Sequence, residues 1–211
     1  MLHPASAGSR RKKFSKQAFS NDKVMIISFN GDHGSGKSTI AKMVAEKLDY
    51  PRYYAGQIFR DMAEKNKMSL VEYLKLGEKD ASIDKNVDDH IMELAKKEKD
   101  FVVESRTAWH FIPNSLKIFL KVDEEEGAQR MLKHLKKSNA RSNEDKGVQT
   151  IQDVIASNRR RKESDEKRYK KYYSIDGGDA ANYDFVLDTT KLGIQEVFLK
   201  TINFIDKKIK S

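Results

Sequence analysis

A short apolar run, Val24-Met25-Ile26-Ile27-Ser28-Phe29, leads into Gly31-Asp32-His33-Gly34-Ser35-Gly36-Lys37-Ser38. That stretch fits G-x-x-x-x-G-K-[ST], the loop that joins a buried parallel strand to a helix and cradles phosphate. Downstream, Ile40, Met43, Val44 and Leu48 recur at helical spacing, so a helix is expected over 37–48. Glycines let successive backbone N–H groups turn inward, and the helix adds its positive end at the same place. Lys37 then reaches the outer phosphates, and the Ser38 hydroxyl is positioned to ligate Mg²⁺. The pattern implies a nucleoside triphosphate site in an α/β fold.

Composition narrows the context. The 211 residues suffice for one sizeable core and are few for two. With no cysteine, the chain has neither disulfides nor a thiolate nucleophile, which fits a reducing, cytoplasmic setting. No apolar run reaches the roughly 20 residues of a membrane span. The net charge of +9 admits nucleic acid as a partner, but a protein that handles polyanionic nucleotides needs the same Lys and Arg. Residues 1–22 set Arg10, Arg11, Lys12, Lys13 and Lys16 against Asp22 alone and lack hydrophobic periodicity, so a disordered basic tail is expected there. The remainder, 23–211, reads as one domain.

Further along, Tyr50-Pro51-Arg52-Tyr53-Tyr54 is expected to hold a short strand at the sheet edge, since Pro51 cannot donate to a ladder, and the helix from Ala55 carries Arg60 in its first turns. A bidentate guanidinium there suits a second phosphate; a surface pair with Asp61 or Glu64 is the alternative. Ser69 caps one helix, and Ser82 or Asp84 caps the next. Asp84 and Asp88 lie four apart with His90 and Glu93 close by; they read as part of a solvated helix face, with a metal site as the alternative. Phe101-Val102-Val103-Glu104 is a second inner strand, so Glu104 and Arg106 emerge beside the phosphate loop. Glu104 is a candidate to order the waters of Mg²⁺ and Arg106 to clamp phosphate. Trp109 reads as core, with stacking on a base as the alternative, and His110 as a surface residue. A strand at 115–122 precedes a polar arm in which Arg130 and Met131 open a helix. A loop at 138–147 leads to a second helix at about 148–172. On that helix Arg161, Asp165 and Arg168 stand at i, i+4 and i+7, on one face with Tyr172 next along it and Arg159 and Arg160 nearby. Such a hairpin suits a lid over a transferring phosphate, or a charged, RNA-facing surface. A strand at 183–189 and a helix at 193–209 close the chain.

Together, Gly31 to Thr39, Tyr54-Ala55-Gly56-Gln57-Ile58-Phe59-Arg60-Asp61-Met62-Ala63, Glu104-Ser105-Arg106 and Glu163-Ser164-Asp165-Glu166-Lys167-Arg168-Tyr169 resemble the nucleoside monophosphate kinases, most closely the short archaeal-type cytidylate kinases. The resemblance spans about Val24 to Ile205. It implies a P-loop NTPase fold of three α/β/α layers, with a five-stranded parallel sheet in the order 2-3-1-4-5. It also implies a mobile monophosphate-binding segment at about 55–100 and a lid at about 125–165. The implied activity is transfer of the γ-phosphoryl of ATP to CMP or dCMP with Mg²⁺, by a monomer with no nucleic-acid partner. Gly31, Asp32, His33, Gly34, Ser35, Gly36, Lys37, Ser38 and Thr39 would hold ATP. Arg60, Arg106, Arg161, Asp165 and Arg168 would meet the monophosphate, with Lys37, Arg106, Arg161 and Arg168 acting on the transferring group.

The chain departs from the family pattern in the lid. Gly127 stands where an arginine is frequent, His134-Leu135 where Arg-Glu is, and Lys162 where a glutamate is. Lys133, Arg141 or Arg159 are candidates to restore the missing charge. The same fold with AMP, UMP or shikimate as acceptor, or a nucleic-acid-associated ATPase with water as acceptor, are the competing readings.

Overall fold

The structure, a computed structural model, describes residues 25–136 and 148–210. The basic tail, the expected loop at 138–147 and Arg141 lie outside the described residues. The apolar runs form five parallel strands: β1 (Ile26–Gly31), β2 (Arg52–Tyr54), β3 (Phe101–Glu104), β4 (Leu116–Lys121) and β5 (Phe185–Asp188). They lie in the order β2-β3-β1-β4-β5, as the resemblance implied. β1 sits at the centre, with Phe29 in register with both Glu104 and Ile118. β2 lies at an edge, where Pro51 takes no ladder position as a donor.

Strand alternation sorts side chains to two faces. Ile27, Phe29, Val102, Ile118 and Leu120 are buried against α1 (Lys37–Leu48) and α8 (Ile194–Lys210), through Ile40, Ala41 and Val44 of the first and Val197, Ile202 and Ile205 of the second. Ile26, Phe101 and Val103 face the other way. They meet α2 (Ala55–Lys65), α4 (Ser82–Lys97) and the short α5 (Ala108–Phe111) through Ala55, Val87, Ile91 and Ala108. Each buried Ile, Val, Leu or Phe among them stabilises the fold by about 1.5–3 kcal/mol, so the two clusters fix the sheet under the site. The remaining helices, α3 (Leu70–Gly77), α6 (Glu124–Leu135) and α7 (Ile151–Tyr173), also line the cleft. Ala128, Met131 and Val154 give α6 and α7 an apolar seam of their own.

Several local expectations change. Ser69 caps α3 in a reciprocal box with Glu72, as read. Neither Ser82 nor Asp84 caps α4; the Asp80 carboxylate accepts from the Ser82 N–H at 2.9 Å. The arm's first helix starts at Glu124, six residues before Arg130. Asp123 caps it by accepting from the N–H groups of Glu125 and Glu126, and three glutamates favour its positive end. The second begins at Ile151 behind a Thr150–Asp153 capping box. The solvated-face reading of Asp84 and Asp88 is overturned: they are 1% and 5% exposed. Asp84, Val87, Asp88 and Ile91 occupy i, i+3, i+4 and i+7, so the carboxylates share the apolar stripe and go inward with it. Among the described residues, no helix is long and apolar enough to cross a membrane.

Candidate active site

The phosphate loop is held from below and from the side. The Asp32 carboxylate does not face inward; it accepts from the Val122 N–H at 3.1 Å and ties the loop to the end of β4. Ser35 is buried, its hydroxyl donating to the Asp32 carbonyl, while its own carbonyl accepts from Thr189. Lys37 turns back over the loop, its Nζ 3.1 Å from the Asp32 carbonyl oxygen. That holds a cation beside the glycine-rich loop, an arrangement suited to phosphate. Gly127 explains how close the first turn of α6 can come: a Cβ there would sit 2.5 Å from the His33 carbonyl oxygen, and one at Gly34 would meet the Gly127 backbone. The residue that departs from the family pattern is thus the contact point between arm and loop.

A cleft of about 930 Å³ runs along this loop. Gly31 and Asp32 anchor the loop, and His33, Gly34, Ser35, Gly36, Lys37, Ser38 and Thr39 line the cleft. At one end Leu192, Ile194 and Val197 provide apolar wall beside Arg130. Arg130 pins α6 to the segment after β5 by donating to the carbonyls of Thr189 and Thr190, both at 2.9 Å. The other end collects Arg60, Arg106, Arg161, Asp165 and Arg168, all five of the residues carried over for the monophosphate. Arg60 is not a surface residue: it is 4% exposed, held by Gln57 and stacked over Tyr54 with its guanidinium carbon 4.9 Å from the ring centroid.

Arg106 joins three elements. Its Nη2 lies 2.7 Å from His33 Nε2 of the phosphate loop, and its Nε lies 2.6 Å from Asp165 Oδ2 of α7. Its carbonyl accepts from Trp109 Nε1 at 2.9 Å, so Trp109 fixes this turn and lies outside the cleft. Asp165 also accepts from Arg168 Nη2 at 2.6 Å. Arg168 is fully buried; its Nη1 donates to the Leu74 carbonyl, and its Nε stands 2.9 Å from Asp84 Oδ2. Burial alone would lower its pKa, but Asp165, Tyr169 and Asp84 outweigh this and hold the guanidinium charged. Alternating charges thus run from the phosphate loop through Arg106, Asp165 and Arg168 to α4. Asp84 and Asp88 are pushed up to about 6, chiefly by burial. Asp88 is saturated, accepting from the hydroxyls of Thr107 and Tyr173.

Glu104 is 1% exposed. Its Oε1 accepts from Arg52 Nε at 2.6 Å, and its Oε2 is buried with no hydrogen-bond partner among the described residues. Among the described residues no group of three acidic or histidine side chains forms a metal cage. Of the candidates to replace charge in the arm, Lys133 lines the cleft and Arg159 is committed to Glu124. Of the residues that depart from the family pattern, His134 lines the cleft too, and Lys162 lies 3.9 Å from Glu166. Sequence reading missed Arg52, Arg130, Asp84 and Asp88. The stripe that buries the two aspartates was visible, whereas nothing in sequence marks which strand partner Arg52 meets.

Residues 26–191 match the model of the cytidylate kinase-like family. The chain is 38% identical over 187 residues to a cytidylate kinase of Methanocaldococcus jannaschii, covering 86% of this chain and 98% of that one. It is 35% identical over 190 residues to a cytidylate kinase of Archaeoglobus fulgidus, with 88% and 98% covered. Among solved structures, a shikimate kinase from Bacteroides thetaiotaomicron superposes with a TM-score of 0.57 at 14% identity over 89% of this chain and 99% of that one, which speaks for the fold alone.

Proposed function

This chain belongs to the cytidylate kinase-like family, and from that premise we propose that it transfers the γ-phosphoryl group of ATP to CMP or dCMP. The observation that carries the reading is the convergence of Arg60, Arg106 and Arg161 on the same cleft as Lys37. A cation cluster placed across from a phosphate loop suits a second phosphorylated substrate, whereas water needs none.

The part of the cleft walled by Leu192, Ile194 and Val197 takes the ATP base, and Gly31 to Thr39 take its phosphates. Arg60 and Arg106 hold the acceptor phosphate in line with the γ-phosphorus. An acceptor oxygen attacks that phosphorus as the bond to the β-bridging oxygen breaks, giving ADP and the nucleoside diphosphate. Lys37 and the arginines neutralise charge that spreads over the transferring group, and positioning supplies the rest. Asp165 orients Arg106, and Arg168 anchors Asp165 and α3 from behind. Phosphoryl transfer needs little general-base help, so none is assigned. Ser38 and the open Oε2 of Glu104 fit Mg²⁺ held largely by phosphate and water, where it would neutralise phosphate charge. Residues 55–100 serve as the monophosphate-binding segment and 125–165 as the lid, on one polypeptide acting as a monomer in the cytoplasm.

A coupled assay across CMP, dCMP, UMP, AMP, GMP and shikimate tests the reading. ATP consumption is expected with CMP and dCMP and absent in Lys37→Ala. ATP hydrolysis without an acceptor, stimulated by RNA, would overturn it.

A further inference from the structure

One side chain ties Arg106, the clamp assigned to the acceptor phosphate, to the loop that grips ATP. Arg106 Nη2 lies 2.7 Å from Nε2 of His33, 73 residues away on the phosphate loop. A guanidinium can only donate, so His33 accepts at Nε2 and its neutral ring carries the proton on Nδ1. Both partners are braced from behind. The Arg106 carbonyl accepts from Trp109 Nε1 at 2.9 Å, and Asn30 Nδ2 lies 3.4 Å from the same oxygen. Arg106 Nε is taken by Asp165 at 2.6 Å. His33 follows Asp32, whose carboxylate accepts from the Val122 N–H, and precedes Gly34, which abuts the Gly127 backbone. The imidazole is thus carried on backbone fixed by β4 and α6, and it moves with the phosphate loop. Both side chains line the shared cleft, and neither belongs to the apolar clusters that hold the sheet.

We propose that His33 is a positioning residue that couples the two substrates. When ATP phosphates order the loop, His33 holds Arg106 where the acceptor phosphate meets it. An acceptor phosphate on Arg106 orders the loop through the same bond. The inference rests on the kinase reading above and names the contact by which one substrate favours the other. The first nucleotide restricts both partners of the bond, so the second has less freedom left to remove. Such coupling is reciprocal: the factor by which ATP raises CMP affinity is the factor by which CMP raises ATP affinity. Asp165 holds Arg106 too, but to α7, so it orients the guanidinium without linking it to the ATP loop.

Calorimetric titration of CMP, with and without saturating β,γ-imido analogue of ATP and Mg²⁺, tests this. Wild type is expected to bind CMP at least about fivefold tighter with the analogue present. His33→Leu keeps bulk but cannot accept, so that factor should fall to within about twofold of unity. His33→Gln sets an amide oxygen near the Nε2 position and should restore at least about threefold. In Arg106→Met the coupling should already be lost, and adding His33→Leu should change it by less than about twofold, because the two act as one unit. Coupling undiminished in His33→Leu, or lost as fully in His33→Gln, would overturn the proposal. Should His33→Leu not fold, Arg106→Met and His33→Gln decide: coupling intact in the first or lost in the second overturns it. If wild type consumes no ATP with CMP, the kinase reading falls first; if it does and the coupling ignores His33, only this assignment falls.

Discussion

Arg168→Met tests whether the buried charge chain holds the arm to the monophosphate segment. Arg168 is fully buried and meets Asp84, Asp165 and the carbonyl of Leu74 at 2.9, 2.6 and 3.0 Å. Methionine fills similar space but donates nothing, so Asp84 is left as a buried charge with no counter-ion at hand. Removing one partner of such a pair costs about 3–5 kcal/mol. For a domain of this size each kcal/mol moves the melting point by about 2–4 °C, so Tm should fall by about 6–20 °C. The double variant Arg168→Met/Asp84→Asn removes the orphaned charge as well and should recover about 1–2 kcal/mol. Thermal unfolding followed by circular dichroism reads both. A single variant that melts within about 2 °C of wild type, or a double variant with simply additive losses, would refute the account of this cluster.

Gly127→Ala forces a Cβ to 2.5 Å from the His33 carbonyl oxygen and must part α6 from the phosphate loop. The gain in helix propensity, about 1 kcal/mol, offsets much of the overpacking, so Tm should move little while kcat/KM for ATP falls about 10- to 100-fold. Full activity would show that arm and loop do not meet there. Asp88→Asn probes pH. A carboxyl raised from 3.8 to about 6 binds its proton more tightly folded than unfolded, so wild type loses stability through it as pH rises from about 4 to about 6. The stability difference between wild type and Asp88→Asn should therefore shift toward the variant by on the order of 1–3 kcal/mol across that range in urea titrations. A flat difference would contradict the shift.

Much of the sheet and the phosphate loop is legible in the sequence, because strand, glycine turn and helix follow without interruption from Ile26 to Leu48. The strand order came from resemblance, since periodicity cannot rank parallel strands. The acceptor end was harder to read. Arg60, Arg106, Arg161, Asp165 and Arg168 were named singly, but their coupling arises where β3, α2, α3, α4 and α7 meet, across gaps such as the 94 residues between Leu74 and Arg168. Asp84 and Asp88 were misread because acidic residues near a helix start fit the dipole, and that local explanation hid the apolar stripe they share with Val87 and Ile91. Gly127 read as a lost charge; only the approach of α6 to His33 shows what a glycine does there.

The central claim is that two nucleotides lie phosphate to phosphate in one cleft. Calorimetric titration with a bisubstrate, adenosine and cytidine joined through five phosphates, tests this directly. The account predicts one molecule bound per chain, far tighter than ATP or CMP alone, with Lys37→Ala and Arg60→Ala each weakening it. Binding no tighter than ATP, or insensitive to Arg60→Ala, would contradict it.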